Sequence, residues 1–150
     1  MDIYLDFDGT VVEHQYPEIG TFNVGSIEII KKLQSAGHKI ILNSRRANCN
    51  NGTLEKALIM INQYYCLYLK DTNGNNDFEM MTITEYCKRK LHPMPFYWEQ
   101  IKQVNELFID DKAFNIPLKE AVKSFGMMVD WDELDKQFIE NGIYEMTFNQ

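Results

Sequence analysis

An α/β sandwich with a mainly parallel sheet is the fold class that the sequence predicts, and three observations lead there. Short apolar runs of strand length alternate with stretches of helical spacing from one end of the chain to the other. Several of the helical stretches close on glycine. At 150 residues the chain fits a single domain, 1–150, whose core removes roughly two-thirds of the unfolded surface from water.

Residues 2–7 carry Ile3, Tyr4, Leu5 and Phe7 and stop at Gly9, the pattern of a short buried strand. Within 26–36, Ile27, Ile30, Leu33 and Gln34 fall at helical spacing, with Asn23 ahead as a candidate cap and Gly37 as the stop. The run HKIILNS (38–44) reads as the next strand. Leu54, Ala57, Leu58, Ile61 and Tyr65 repeat the helical pattern over 53–65, and CLYLK (66–70) is expected as a third strand. The Asn- and Gly-rich stretch 71–77 reads as a loop and 82–91 as a helix. Pro93 and Pro95 then bar regular structure until about Tyr97. ELFIDDK (106–112) is a further strand closed by two acids, and NIPLKEAVKSF (115–125) is expected as a helix with Pro117 in its first turn. A last strand at 126–129 leads into the helix WDELDKQFIENG, closed by Gly142.

Apolar residues make up 45% of the chain and charged residues 25%, proportions of a globular protein rather than a disordered or fibrous one. The net charge of −7 opposes broad attraction to nucleic acid or anionic membrane. Two small basic clusters stand against it, Arg45-Arg46 and Lys88-Arg89-Lys90, the second reading as a solvated helix face. No apolar run approaches the ~20 residues that cross a bilayer. Asp2 and Asp6 stand where a signal peptide would be basic and then apolar, so the expectation is a cytoplasmic protein. Cys49, Cys66 and Cys87 are odd in number and far apart, which indicates neither a disulfide framework nor a zinc site.

In a parallel sheet, ligands bind beyond the carboxyl ends of the strands. Three of the expected strands end in polar residues: Asp6, Asp8 and Thr10 after the first, Ser44 after the second, Asp110 and Asp111 after 106–109. Like charges this close are unfavourable without a cation or proton between them, and Mg²⁺ suits such an acid cluster. Each group also has a plainer reading. Asp-x-Asp alone is commonly a turn, Ser44 would cap a helix starting near Arg45, and Asp110-Asp111 would cap another. His14 reads as a surface residue or a substrate contact, and Tyr64, Tyr65, Tyr68, Phe96 and Trp98 as core rather than a stacking platform.

DFDGT, an aliphatic strand ending in Ser44, and FIDDK resemble, in this order, the first, second and fourth motifs of the haloacid dehalogenase superfamily of phosphotransferases. The resemblance implies a Rossmann-like three-layer sandwich with a mainly parallel central sheet, and a Mg²⁺-dependent phosphatase acting on phosphomonoesters. Asp6 would be the nucleophile, and Asp8 the proton donor and acceptor. Asp6, the backbone carbonyl of Asp8, and Asp110 would bind Mg²⁺, with Asp111 in support. Thr10 and Ser44, with backbone N–H groups after Asp6, would bind phosphoryl oxygens. For the family's third-motif Lys, Lys70, Lys88, Lys90 and Lys102 are eligible, with Lys102 favoured and Lys70 the runner-up. Asp8 disfavours a dehalogenase, which lacks that acid.

The intervals leave no room for a large cap domain, so the chain resembles the capless subclass, with 71–77 or 92–97 as a partial lid. A phosphorylated small molecule is the expected partner, with nucleic acid and membrane disfavoured and a homodimer left open by the uncovered site. Two alternatives stand beside the phosphatase. One is a receiver-type signalling domain, disfavoured because the acid pair would come first there, and the other is a non-catalytic phosphate-binding homologue.

Overall fold

The computed structural model describes residues 1–48, 52–68 and 92–146. Strand β1 (Asp2–Leu5) lies between β2 (Lys39–Leu42) and β3 (Glu106–Ile109), and both pairings are parallel. Helix α1 (Ser26–Ser35) makes the crossover from β1 to β2. A short 3₁₀ turn (Arg45–Asn48) and helix α2 (Thr53–Tyr68) follow β2, and helix α3 (Trp98–Val104) leads into β3. Strands β4 (Leu118–Glu120) and β5 (Met127–Val129) form a separate antiparallel pair, and helix α4 (Trp131–Glu140) follows. The described architecture is thus mixed α/β, with a three-stranded parallel sheet.

Alternation along the strands sets the core. Ile3 and Leu5 of β1, Ile40 and Leu42 of β2, and Leu107 and Ile109 of β3 are all buried. Each such side chain contributes about 1.5–3 kcal/mol by leaving water. Tyr4 and Phe108 stack across β1 and β3 with centroids 4.8 Å apart. Helix α1 buries Ile27, Ile30 and Leu33, the helical spacing read from sequence, and its chain turns out at Gly37 with φ 93°. Helix α4 packs against α1 and buries Trp131, Leu134 and Phe138. Asp130 caps α4 by accepting the Glu133 N–H. Phe96 is a core residue, and the partly buried Trp98 packs against the core, meeting the rings of Phe96 and Phe138 edge-on.

The fold corrects four expectations. Cys66–Tyr68 end helix α2 rather than start a strand, because an apolar run that short has no period of its own and continues the helix before it. The stretch 115–125 is not a helix. Leu118, Lys119 and Glu120 pair with Val129, Met128 and Met127, and the chain reverses through Gly126 at φ 92°. Hairpin pairing here overrides the helical preference of the single segment. Helix α3 has no counterpart among the expected elements. Asn23 does not cap α1, where Gly25 takes that place; its amide instead donates to the carbonyls of Thr10 and Val129. Lys70, the 71–77 loop, the 82–91 helix, and Cys49 and Cys87 lie outside the described residues.

Candidate active site

Register alone brings the acids together. The last paired residues of the sheet are Leu5, Leu42 and Ile109, so the next positions, Asp6, Asn43 and Asp110, leave it side by side. Two further backbone bonds hold that alignment: the Asp6 N–H donates to the Ile109 carbonyl at 2.9 Å, and the Asn43 N–H to the Leu5 carbonyl at 2.7 Å. Beyond this end of the sheet is a cavity of about 560 Å³ lined by Asp6, Asp8, Ser44, Arg46, Asp110 and Asp111, among others. His14, Tyr16, His92 and Pro93 also line it.

After Asp6 the chain makes a tight loop through Gly9, whose φ of 79° favours glycine. A Cβ at Gly9 would collide with the His14 ring and the Asp111 carboxylate. The Gly9 N–H donates to Val12, and those of Thr10, Val11 and Val12 donate to the Phe7 carbonyl. Those four donors are spent inside the loop and do not serve a phosphoryl group. From behind, the Trp131 indole N–H donates to the Thr10 carbonyl at 2.8 Å, fastening the loop to α4.

Asp6, Asp110 and Asp111 each offer an oxygen, and these atoms lie within 4.8 Å of one another. Burial pushes the Asp6 carboxyl well above its ordinary value, and repulsion from Asp110 and Asp111 pushes it further. Thr10 pulls the other way, donating its hydroxyl to Asp6 at 3.1 Å. Burial also raises Asp110; the Lys112 N–H, donating to it at 2.9 Å, opposes the rise and Asp111 adds to it. Asp111 Oδ2 lies 2.8 Å from His14 Nε2 and accepts its hydrogen bond. Three carboxyl groups that each offer an oxygen to one point are a donor set fitted to a hard divalent cation.

Asp8 is placed differently. Arg46 Nε donates to its Oδ2 and an Arg46 terminal nitrogen to its Oδ1, both at 2.8 Å. The Arg46 side chain is only 1% exposed. It lies against the rings of Phe7 and Tyr16 and donates to the carbonyls of Pro17 and Glu18 as well. The Asp8 side chain therefore stands outside the carboxylate set of Asp6, Asp110 and Asp111.

Of the sequence candidates, Asp6, Asp8, Ser44, Asp110 and Asp111 meet at the one cavity. The plainer reading of Ser44 also holds, since its Oγ accepts the Arg46 N–H at 3.1 Å. Thr10 is fully buried, with its hydroxyl given to Asp6 and accepting the Asp111 N–H at 3.3 Å, so it braces the acids rather than lining the cavity. Lys102 does not join them. It is exposed on α3, which enters the sheet at the amino end of β3, away from Asp110. Lys112 lines the cavity instead, beside Asp111. Sequence reading missed Arg46 as a site residue, although its place two residues after Ser44 was the available signal. The 92–97 segment does reach the cavity, through His92 and Pro93.

Comparison with known proteins gives no significant match, whether to a family model, a curated protein or a solved structure.

Proposed function

We propose that the chain is a Mg²⁺-dependent phosphohydrolase that cleaves a small phosphomonoester through an aspartyl phosphate on Asp6. In this reading it is a short, capless relative of the haloacid dehalogenase phosphotransferases, with a Rossmann-like layered core. One observation carries the reading: parallel register sets Asp6 beside Asp110 at a strand end, with Asp8 lining the same cavity. The motif order DFDGT, Ser44, FIDDK supports it. A cavity of about 560 Å³ falls within the ~300–1,000 Å³ of small-molecule sites, which favours a phosphorylated metabolite over bare phosphate.

An Asp6 oxygen attacks phosphorus, the bond to the leaving oxygen breaks, and Asp8 gives that oxygen a proton. Water next attacks the phosphorus and Asp8 takes a proton from it. The bond to Asp6 breaks, releasing inorganic phosphate and restoring the Asp6 carboxylate. Asp6, Asp110 and Asp111, with the Asp8 carbonyl, would hold the cation. When bound, Mg²⁺ offsets the charge of these acids and of the phosphoryl oxygens. Ser44 and Lys112 are placed to meet the phosphoryl group.

The test is hydrolysis of a panel of phosphomonoesters, p-nitrophenyl phosphate included, in Mg²⁺. Asp6→Asn is expected to lower the rate by roughly 10³-fold or more, as loss of a nucleophile does, and a chelator to stop the wild type. Asp8→Asn should also lower turnover strongly, most for esters whose leaving group needs the proton, and leave a measurable residual rate. Full activity in either variant overturns the mechanism. A lasting aspartyl phosphate without turnover would favour the receiver-type alternative.

A further inference from the structure

We infer that Arg46 is a positioning residue that fixes the Asp8 carboxylate and the 16–18 segment as one unit at the mouth of the site. The inference rests on the phosphohydrolase reading above. An arginine two residues after Ser44 at a phosphate site invites the role of a phosphate clamp, and the hydrogen bonds argue against it. A guanidinium has five N–H donors. Four of them are spent inside the protein: two on Asp8, one on the Pro17 carbonyl and one on the Glu18 carbonyl. The plane of the group is occupied too, with its carbon 5.2 Å from the Phe7 centroid and 4.9 Å from that of Tyr16. Nothing of the fork needed for bidentate phosphate binding is left over.

What the fork does hold is the group assigned to move the proton. Asp8 precedes Gly9 in the loop that leaves β1, and the two bonds from Arg46 engage both of its carboxylate oxygens. The same guanidinium reaches 28 and 29 residues back along the chain to grip the carbonyls of Glu18 and Pro17. Tyr16, stacked on it, lines the cavity. The 16–18 segment thus serves as a short fixed rim where larger relatives would use a cap. A proton carrier must stand within hydrogen-bond reach of the leaving oxygen, and a displacement of about 1 Å costs on the order of 10²-fold.

Arg46→Lys keeps the charge and loses the fork. We expect kcat/KM to fall by ~10–100-fold for an alkyl phosphate, whose leaving group needs the proton, and by less than ~10-fold for p-nitrophenyl phosphate, whose leaving group does not. In an Asp8→Asn background the same substitution should cost little more, because the group it positions is gone. Equal losses on both substrates, or full additivity with Asp8→Asn, would mark a merely structural role and overturn the inference while the hydrolase reading stands. A wild type inactive on every ester overturns the reading and the inference together. Should Arg46→Lys not fold, the unmutated protein still decides. The Arg46 Nε–H resonance should stay protected and unshifted when Mg²⁺ and inorganic phosphate are added, and a shift to a phosphate-bonded signal overturns the positioning role.

Discussion

Asp6 and Asp8 leave the same strand two residues apart, and the protein treats their charges in opposite ways. Asp8 meets a buried guanidinium that engages both of its oxygens at 2.8 Å. Asp6 meets two more acids, Asp110 and Asp111, and its carboxyl is pushed up by burial and then by their repulsion. One half of the site is balanced by the chain itself, and the other is built to be balanced by something bound. The half with internal compensation is fixed by its own hydrogen bonds, and the half without it carries the affinity for a cation.

Breaking the balanced half should have the largest effect. Arg46→Ala leaves Asp8 and two backbone carbonyls without their donor, and Asp8→Ala leaves a guanidinium that is 1% exposed without its counter-charge. Removing one partner of a buried pair costs about 3–5 kcal/mol. We expect that loss in urea unfolding for either variant, and a double variant less destabilised than the sum of the two. Losses below about 1 kcal/mol would show the pair to be no more than a surface bridge.

Relieving the other half should act in the reverse direction. Without a divalent cation, Asp110→Asn is expected to stabilise the protein, by about 1–2 kcal/mol. Repulsion between unit charges 4.8 Å apart at an effective dielectric of 20 is about 3.5 kcal/mol, and solvent screening lowers it. The pH dependence has a definite sign. Asp6 and Asp110 have folded values above their ordinary 3.8, so the folded state keeps protons that the unfolded state has released. Stability without cation should therefore fall as pH rises from about 3.8 through the folded values, then level off. Mg²⁺ should flatten that descent in the wild type and much less in Asp110→Asn. Melting curves with an identical pH slope in chelator and in Mg²⁺ would remove the cation from the account.

The two halves were not equally legible in the sequence. Asp6, Asp8, Ser44, Asp110 and Asp111 could be found because each follows an apolar run, and parallel strands that end together bring such residues to one edge. Arg46 could be seen beside Ser44, but its partners lie at positions 8, 17 and 18 and are set by how the first loop folds back. Thr10 was read from the loop motif as a phosphate contact, and burial turns its hydroxyl inward to Asp6. Lys102 was chosen by its nearness in sequence to β3, whereas a helix before a parallel strand delivers its residues to the amino edge. The same limit explains 115–125. A three-residue strand whose partners among the described residues lie seven to eleven positions on carries no periodic signal strong enough to set it apart from a helix.

Glu13 extends the comparison to a third carboxylate, compensated by three backbone N–H groups and a hydroxyl instead of a charged side chain or a cation. It is 3% exposed, and one oxygen accepts the N–H groups of Lys123 and Ser124 and the Ser124 hydroxyl, while the other accepts the Val122 N–H. Burial pushes this carboxyl up, and those hydrogen bonds together outweigh it, so it lies below the ordinary 4.5. Glu13 thereby ties the turn between β4 and β5 to the residue next to His14, which lines the cavity. Glu13→Gln can keep the oxygen that takes three donors, but it sets an amide against the Val122 N–H. The expected loss is about 1 kcal/mol near neutral pH, the smallest of the three. Its pH sign is opposite to that of Asp6: a lowered carboxyl stabilises fully above about 4.5, and the contribution disappears as pH falls through the folded value. The difference between wild type and Glu13→Gln should therefore close in acid, whereas that between wild type and Asp110→Asn should open with rising pH. If both differences moved in the same direction, the opposite treatment of these carboxylates would not survive.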